Sequence, residues 1–211
     1  TPISRMRQKL EIVQSGSPDI ATYRTAVDET IEEIDGIADT FDALLRISEI
    51  EAGARKEKFE QVELNRLLEN IVDALEAVAE ERHHHLSSVI EQKPLVIRGD
   101  RRLLNQLFVN LIENAIVHCQ EGSTIRVALQ SHADRPVATI SDNGVGIPDA
   151  EREKVFRRLY RLEKSRTTRG SGLGLSLVSV IAELHGAKVT LSDNNPGLTV
   201  EVRFPELQIG S

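Results

Sequence analysis

The chain has 211 residues, a net charge of −7 and 28% charged residues, a balance that argues against coating nucleic acid or anionic membrane over its whole surface. Aromatics make up 3% with no Trp, so a core has to be built from Leu, Ile, Val and Ala; the 40% of hydrophobic residues suffices for one good core and a smaller element. One cysteine, Cys119, excludes an internal disulfide framework, and no apolar run approaches the ~20 residues that span a bilayer.

Ile3, Met6, Leu10 and Val13 step by three and four, and Gly16-Ser17-Pro18-Asp19 then offers turn chemistry, which predicts a short helix and a break. From Ile20 the period resumes, with Val27, Ile31, Ile34, Ala38, Phe41 and Leu45 forming a heptad seam that Ile37 and Leu44 widen. One reading is a helical hairpin packed on the rest of the chain. The seam is too long for the short first helix to cover, which favours a four-helix bundle made with a second copy. Gly53 and the charged residues 55–58 read as a linker, dividing residues 1–54, a dimerisation hairpin, from residues 55–211.

In the second part, residues 64–79 have helical period, with Leu64, Leu67, Leu68, Ile71, Leu75 and Val78 expected inward. His83, His84 and His85 lie at the start of an expected strand, where neighbours point to opposite faces, so a solvated strand edge is favoured over a metal site. Strands are expected at 85–90, 95–98, 123–130 and 136–140, a helix at 171–185, and a closing hairpin of 188–192 and 198–204 around Asn194-Asn195-Pro196-Gly197. The fold class is α+β: the helical hairpin followed by an α/β sandwich, one mixed sheet with helices on one face.

Residues 103–117 predict a helix whose Leu104, Leu107, Phe108, Leu111 and Ala115 face a core. Gln106, Asn110, Glu113, Asn114 and Val117 share another face. Buried amides need partners, so that stripe calls for a polar guest or an internal network. Two glycine-rich turns follow, Asp142-Asn143-Gly144-Val145-Gly146-Ile147-Pro148 and Gly170-Ser171-Gly172-Leu173-Gly174-Leu175. Glycines let backbone N–H groups approach phosphate closely, and a helix beginning after Gly174 adds its N-terminal dipole. Neither turn is a P-loop, and the second is one position short of the dinucleotide fingerprint. Between Arg152 and Arg169 stand eight basic and two acidic residues, with Phe156 and Tyr160 interleaved. Stacking on single-stranded nucleic acid is one use of such a segment. Its place between two glycine turns favours a lid that neutralises phosphates.

In order and spacing these pieces resemble the sensor histidine kinases of two-component systems, within the gyrase-like and chaperone-like ATPases. Asn110-Leu111-Ile112-Glu113-Asn114-Ala115 looks like the N box, Asp142-x-Gly144-x-Gly146 the first glycine box, residues 156–161 the F box, and Gly170-x-Gly172-Leu173-Gly174-Leu175 the second glycine box. The resemblance implies a protein histidine kinase that binds ATP and Mg²⁺ and passes phosphate to the receiver domain of a response regulator. It casts Asn114 as the Mg²⁺ ligand beside Asn110. Asp142 becomes the acceptor of the adenine amine, with Gly144, Gly146 and Ile147 against the base. Tyr160, Lys164, Arg166, Arg169, Gly170, Gly172, Leu173, Gly174 and Leu175 complete the nucleotide site.

Hydrolysing relatives carry glutamate where Asn110 stands, and asparagine is no general base, so phosphoryl transfer to a positioned nucleophile is expected rather than hydrolysis. The family's phosphoacceptor motif ends in Thr-Pro-Leu/Ile, which Thr1-Pro2-Ile3 matches, so the acceptor histidine is expected four residues ahead of Thr1. The chain then reads as the cytoplasmic portion of a longer sensor protein anchored in the inner membrane. Departures are Val117 and His118, where the family commonly has Lys and an aromatic, and Leu159 in place of Phe. Two rivals remain: a superfamily ATPase or serine kinase, and a nucleotide-binding or dimerisation module without turnover.

Overall fold

The computed structural model describes residues 2–16, 19–51, 58–161 and 172–206. Helices α1 (Pro2–Ser15) and α2 (Ile20–Glu51) form the hairpin, with Met6, Ala26 and Thr30 buried. The expected seam on α2 is left uncovered within one chain: Ile31, Ile34, Phe41 and Leu45 are exposed. The far end of α2 behaves differently. Ile47 and Ile50 are buried in the main core, and Arg46 Nη1 donates to Gln106 Oε1 at 2.5 Å. Gln106, expected on the polar guest-binding face, is thereby tied to the hairpin.

The core lies between a five-stranded sheet and three helices. After β1 (Glu60–Glu63) come α3 (Leu64–Glu81), β2 (His85–Ile90), β3 (Val96–Gly99), α4 (Arg101–His118), β4 (Thr124–His132) and β5 (Arg135–Asp142). A short α5 (Asp149–Arg152), α6 (Gly174–Leu184), β6 (Lys188–Asp193) and β7 (Leu198–Arg203) complete the described chain. The sheet order is β2-β4-β5-β7-β6, with β2 parallel to β4 and the other pairs antiparallel, so the sheet is mixed as expected. Ile125, Val127, Leu129, Ala138, Ile140, Val200 and Val202 turn one face toward α3, α4 and α6. The alternate positions Arg126, Thr139 and Glu201 lie outside the buried core, as the two-residue period of a one-sided sheet requires.

Three details differ from the sequence reading. A second sheet exists: β1 pairs antiparallel with β3, from Glu60 opposite Gly99 to Glu63 opposite Val96. On α3 the buried stripe takes Val72 and Ala79, while Val78 is exposed, because the contact with the sheet rotates the inward arc by about one residue. The three histidines do not share a strand edge. His85 opens β2, His83 sits in a turn at φ 57°, and His84 is buried with Nε2 3.1 Å from the Ile116 carbonyl. Among the described residues no cluster of His, Cys, Asp and Glu could hold a metal ion.

Candidate functional site

Helix α4 starts where Asp100 Oδ1 accepts from the backbone N–H groups of Arg102 (2.9 Å) and Leu103 (3.2 Å), an N-cap that contributes about 1 kcal/mol. From there Leu103, Leu104, Leu107, Phe108, Leu111, Ile112, Ala115 and Ile116 are buried against the sheet and α6. This packing fixes the rotation of α4 and turns Asn110 and Asn114, one turn apart, away from the core. Among the described residues, the Nδ2 atoms of both amides are buried without a hydrogen-bond partner. An unsatisfied buried amide costs about 1–3 kcal/mol, and two on one face mark a place made for a polar guest.

The first residue of α6 lies beside Asn114: a Cβ placed on Gly174 would lie 3.5 Å from Asn114 Nδ2 and 3.7 Å from its Oδ1, ordinary contact distances. Leu173 at the N-cap makes no side-chain cap hydrogen bond, and the dipole of the 11-residue helix puts partial positive charge at this end. Gly172 has φ +70°, and a Cβ there would meet the Tyr160 carbonyl oxygen at 2.9 Å, so the two chain segments entering the site cross closely.

Asp142 ends β5 and is buried. Its Oδ1 accepts from Gly144 N at 2.9 Å and Leu198 N at 3.3 Å, while its carbonyl accepts from Asn194 Nδ2 at 2.7 Å. The hairpin between β6 and β7 therefore braces the glycine turn. A Cβ on Gly197 (φ +113°) would run into the Asp142 carbonyl, and one on Gly146 (φ +65°) would come within 2.7 Å of the Gly197 oxygen. Cys119 lies against the same turn, its Sγ 2.8 Å from where a Gly144 Cβ would be. Burial first, and then the Asp142 carboxylate, push its thiol up to about 12, so it stays protonated and unreactive.

Among the basic residues expected in a lid, Arg152 and Lys154 are held elsewhere. Arg152 pairs with Asp193 (2.7 Å) and Asp149 (3.1 Å) and donates through Nε to the Ile147 carbonyl (3.2 Å); Lys154 pairs with Glu151 at 3.0 Å. The Tyr160 hydroxyl donates to Glu151. Lys164, Arg166, Arg169 and Gly170 lie outside the described residues. His118 keeps an exposed edge, yet partial desolvation and then the Arg161 charge hold its imidazole below its ordinary pKa. Neutral at pH 7, it supplies no cation in place of the missing lysine.

A family model described as "Histidine kinase-, DNA gyrase B-, and HSP90-like ATPase" matches residues 99–208. The chain belongs to this ATPase family. Its curated relatives include the heme sensor protein HssS of Staphylococcus saprophyticus, 29% identical over 98% of this chain and 44% of that protein. Another is the sensor histidine kinase HprS of Escherichia coli, 31% identical over 98% of this chain and 45% of that protein. The chain thus spans less than half the length of these relatives.

Two solved structures share the fold along nearly all of the chain. The Acinetobacter baumannii histidine kinase AdeS superposes with a TM-score of 0.77 at 18% identity, covering 99% of this chain and 96% of that one. The histidine kinase ThkA, in complex with the response regulator protein TrrA, superposes with a TM-score of 0.79 at 19% identity, covering 98% and 58%. The matched region of this ATPase family begins at Gly99, just before the cap of α4, and its range includes the site elements described above.

Asn114, Asp142 and Gly174 were named as site residues from sequence; Asn114 lies beside Gly174, and Asp142 is buried at the end of β5. Asn194, Gly197, Leu198, Asp193 and Arg152 were not. Their signal was weak, a common hairpin turn and an arginine counted with its neighbours.

Proposed function

We propose that the chain is the dimerisation hairpin (residues 1–54) and ATP-binding catalytic domain (residues 55–211) of a sensor histidine kinase. The observation that carries this reading is the pair of unsatisfied amides of Asn110 and Asn114 beside the uncapped start of α6. An amide offers a donor and an acceptor on one side chain, and the N–H groups of α6 suit phosphate oxygens. Asp142, held by Gly144 and Leu198, accepts the exocyclic amine of adenine, which guanine lacks at that position.

The amide oxygen of Asn114 fits a hard cation, and Mg²⁺ bound there would neutralise triphosphate charge during phosphoryl transfer. Asn110 cannot take a proton from water, so this site orients a nucleophile instead of activating water. The acceptor is a histidine of the motif whose end reads Thr1-Pro2-Ile3, and the phosphate passes on to a response regulator receiver domain. ThkA's complex with its response regulator and the relatives named as sensor proteins support those partners. The exposed seam of α2 supports the homodimer.

The test is to extend the chain by His-Glu-Leu-Arg ahead of Thr1 and incubate it with γ-labelled ATP and Mg²⁺. Acid-labile, alkali-stable label is expected on the extended chain, none on the unextended one, and at least about a hundredfold less on Asn114→Ala. Equal labelling of the unextended chain would overturn the assignment of the acceptor; equal labelling of Asn114→Ala would overturn that of the site.

A further inference from the structure

Arg152 lies outside the expected nucleotide contacts, yet it joins the stretch after the first glycine turn to the distant end of β6. Its guanidinium donates to the carbonyl of Ile147 at the end of the first glycine turn, pairs with Asp149 at the start of α5, and pairs with Asp193 at the end of β6. The arginine side chain is 17% exposed while Asp193 and Asp149 are 59% and 94% exposed, so the guanidinium is partly shielded and its acidic partners face water. Asp193 is followed by Asn194, whose amide holds the Asp142 carbonyl, and by Gly197 and Leu198, which close on the Asp142 backbone and carboxylate.

The contacts form a ring that runs from Asp142 through Gly144, Gly146 and Ile147 to Arg152, across to Asp193, and through Asn194 and Leu198 back to Asp142. Both backbone donors to Asp142 Oδ1 come from opposite arcs of this ring, Gly144 from one and Leu198 from the other. If the arcs part, the carboxylate loses one of its two donors and turns. Of the two salt bridges Arg152 makes among the described residues, the one to Asp193 crosses the ring, joining parts of the chain 41 positions apart, while the one to Asp149 is local.

We infer that Arg152, with Asp193, is a positioning residue for adenine recognition: it clamps the glycine turn to the β6–β7 hairpin and so aims the Asp142 carboxylate at the 6-amino group. The inference rests on the nucleotide reading of the site. An ion pair of this exposure, with its added hydrogen bond, is worth about a three- to tenfold change in affinity.

Calorimetry with Mg-ATP and with purine riboside 5′-triphosphate, which lacks the 6-amino group, tests it on the whole chain. Arg152→Ala is expected to weaken ATP about three- to tenfold and to shrink the preference for ATP over the analogue by the same factor. Asp193→Asn should shift both in the same direction by less, and carries the test if Arg152→Ala fails to fold. Joining Arg152→Asp with Asp193→Arg should restore part of the preference. Unchanged ATP affinity in both single variants, or equal weakening of ATP and analogue, would overturn the clamp and leave Arg152 a purely structural residue. A wild-type chain that binds neither nucleotide would overturn the nucleotide reading itself, and the clamp with it.

Discussion

Asp142 shows how a single carboxylate acquires a chemical role from its surroundings. Two backbone donors fix Oδ1, the Cys119 thiol lies against the group, and burial removes competing water. Asp142→Asn keeps the size and removes the charge that receives the amine, so ATP affinity should fall about ten- to hundredfold by calorimetry while the melting temperature changes little. An unchanged affinity would remove Asp142 from the site. The residue was legible in sequence because Asp-x-Gly-x-Gly is a local pattern, with every partner that defines it within a few positions. Asn194 and Leu198 were not, because their partner stands more than fifty residues away and nothing in Asn-Asn-Pro-Gly distinguishes a brace from an ordinary turn.

Among the elements, α4 was read most completely. Its apolar and polar faces are both set by a 3.6-residue period, and that period survives packing. The stripe of α3 was read with Val78 inward where the structure buries Val72 and Ala79, since periodicity gives an arc and the neighbouring sheet decides where the arc points. Helix α2 divides its length between two tasks. Its heptad positions Ile31, Ile34, Phe41 and Leu45 stay exposed, while Ile47 and Ile50 are buried with the catalytic core. In the homodimer proposed above, Phe41→Glu should raise the dissociation constant by at least about a hundredfold, read by sedimentation equilibrium, because a charge would replace a large apolar contact in both copies. Nucleotide affinity should be unaffected. A variant as dimeric as the wild type would exclude the seam as the interface. The burial of Ile47 and Ile50 was not read, since they fall off the seam, whose steps from Leu45 lead to Ser48 or Glu49, and only tertiary contact buries that second face.

At the scale of the whole molecule, His185 ties three parts together. Its Nε2 accepts from Asp100 N at 3.0 Å, its Nδ1 lies 2.7 Å from the Ile181 carbonyl, and its ring stacks on Phe59 at 4.8 Å. The end of α6, the cap of α4 and the start of the catalytic domain thus meet on one imidazole. Burial lowers its pKa against the smaller opposing effects of the Ile181 carbonyl and Asp100. The unfolded chain therefore takes up a proton first as pH falls past about 6.5, and the stability this group contributes above that pH is lost below it. Between pH 7 and pH 5 the melting temperature of the wild type should fall more steeply than that of His185→Gln. Parallel curves would show that the imidazole titrates normally in the folded protein.

The strand order β5-β7-β6 carries a consequence for how the site comes into being. Strand β5 ends in Asp142, but its neighbour in the sheet is β7, the latest of the described strands in sequence, and β6 lies beyond it at the edge. During synthesis from the N-terminus, the asparagine helix, the glycine turns and β5 all emerge while one side of β5 has no strand to pair with. The chain must then travel out to the rim with β6 and fold back to fill the gap. Leu198, which supplies the second donor to Asp142, is the first residue of that returning strand. A nascent chain thus carries every recognisable nucleotide motif well before Asp142 has its second donor, and on the proposed reading adenine recognition becomes possible only as the sheet zips shut.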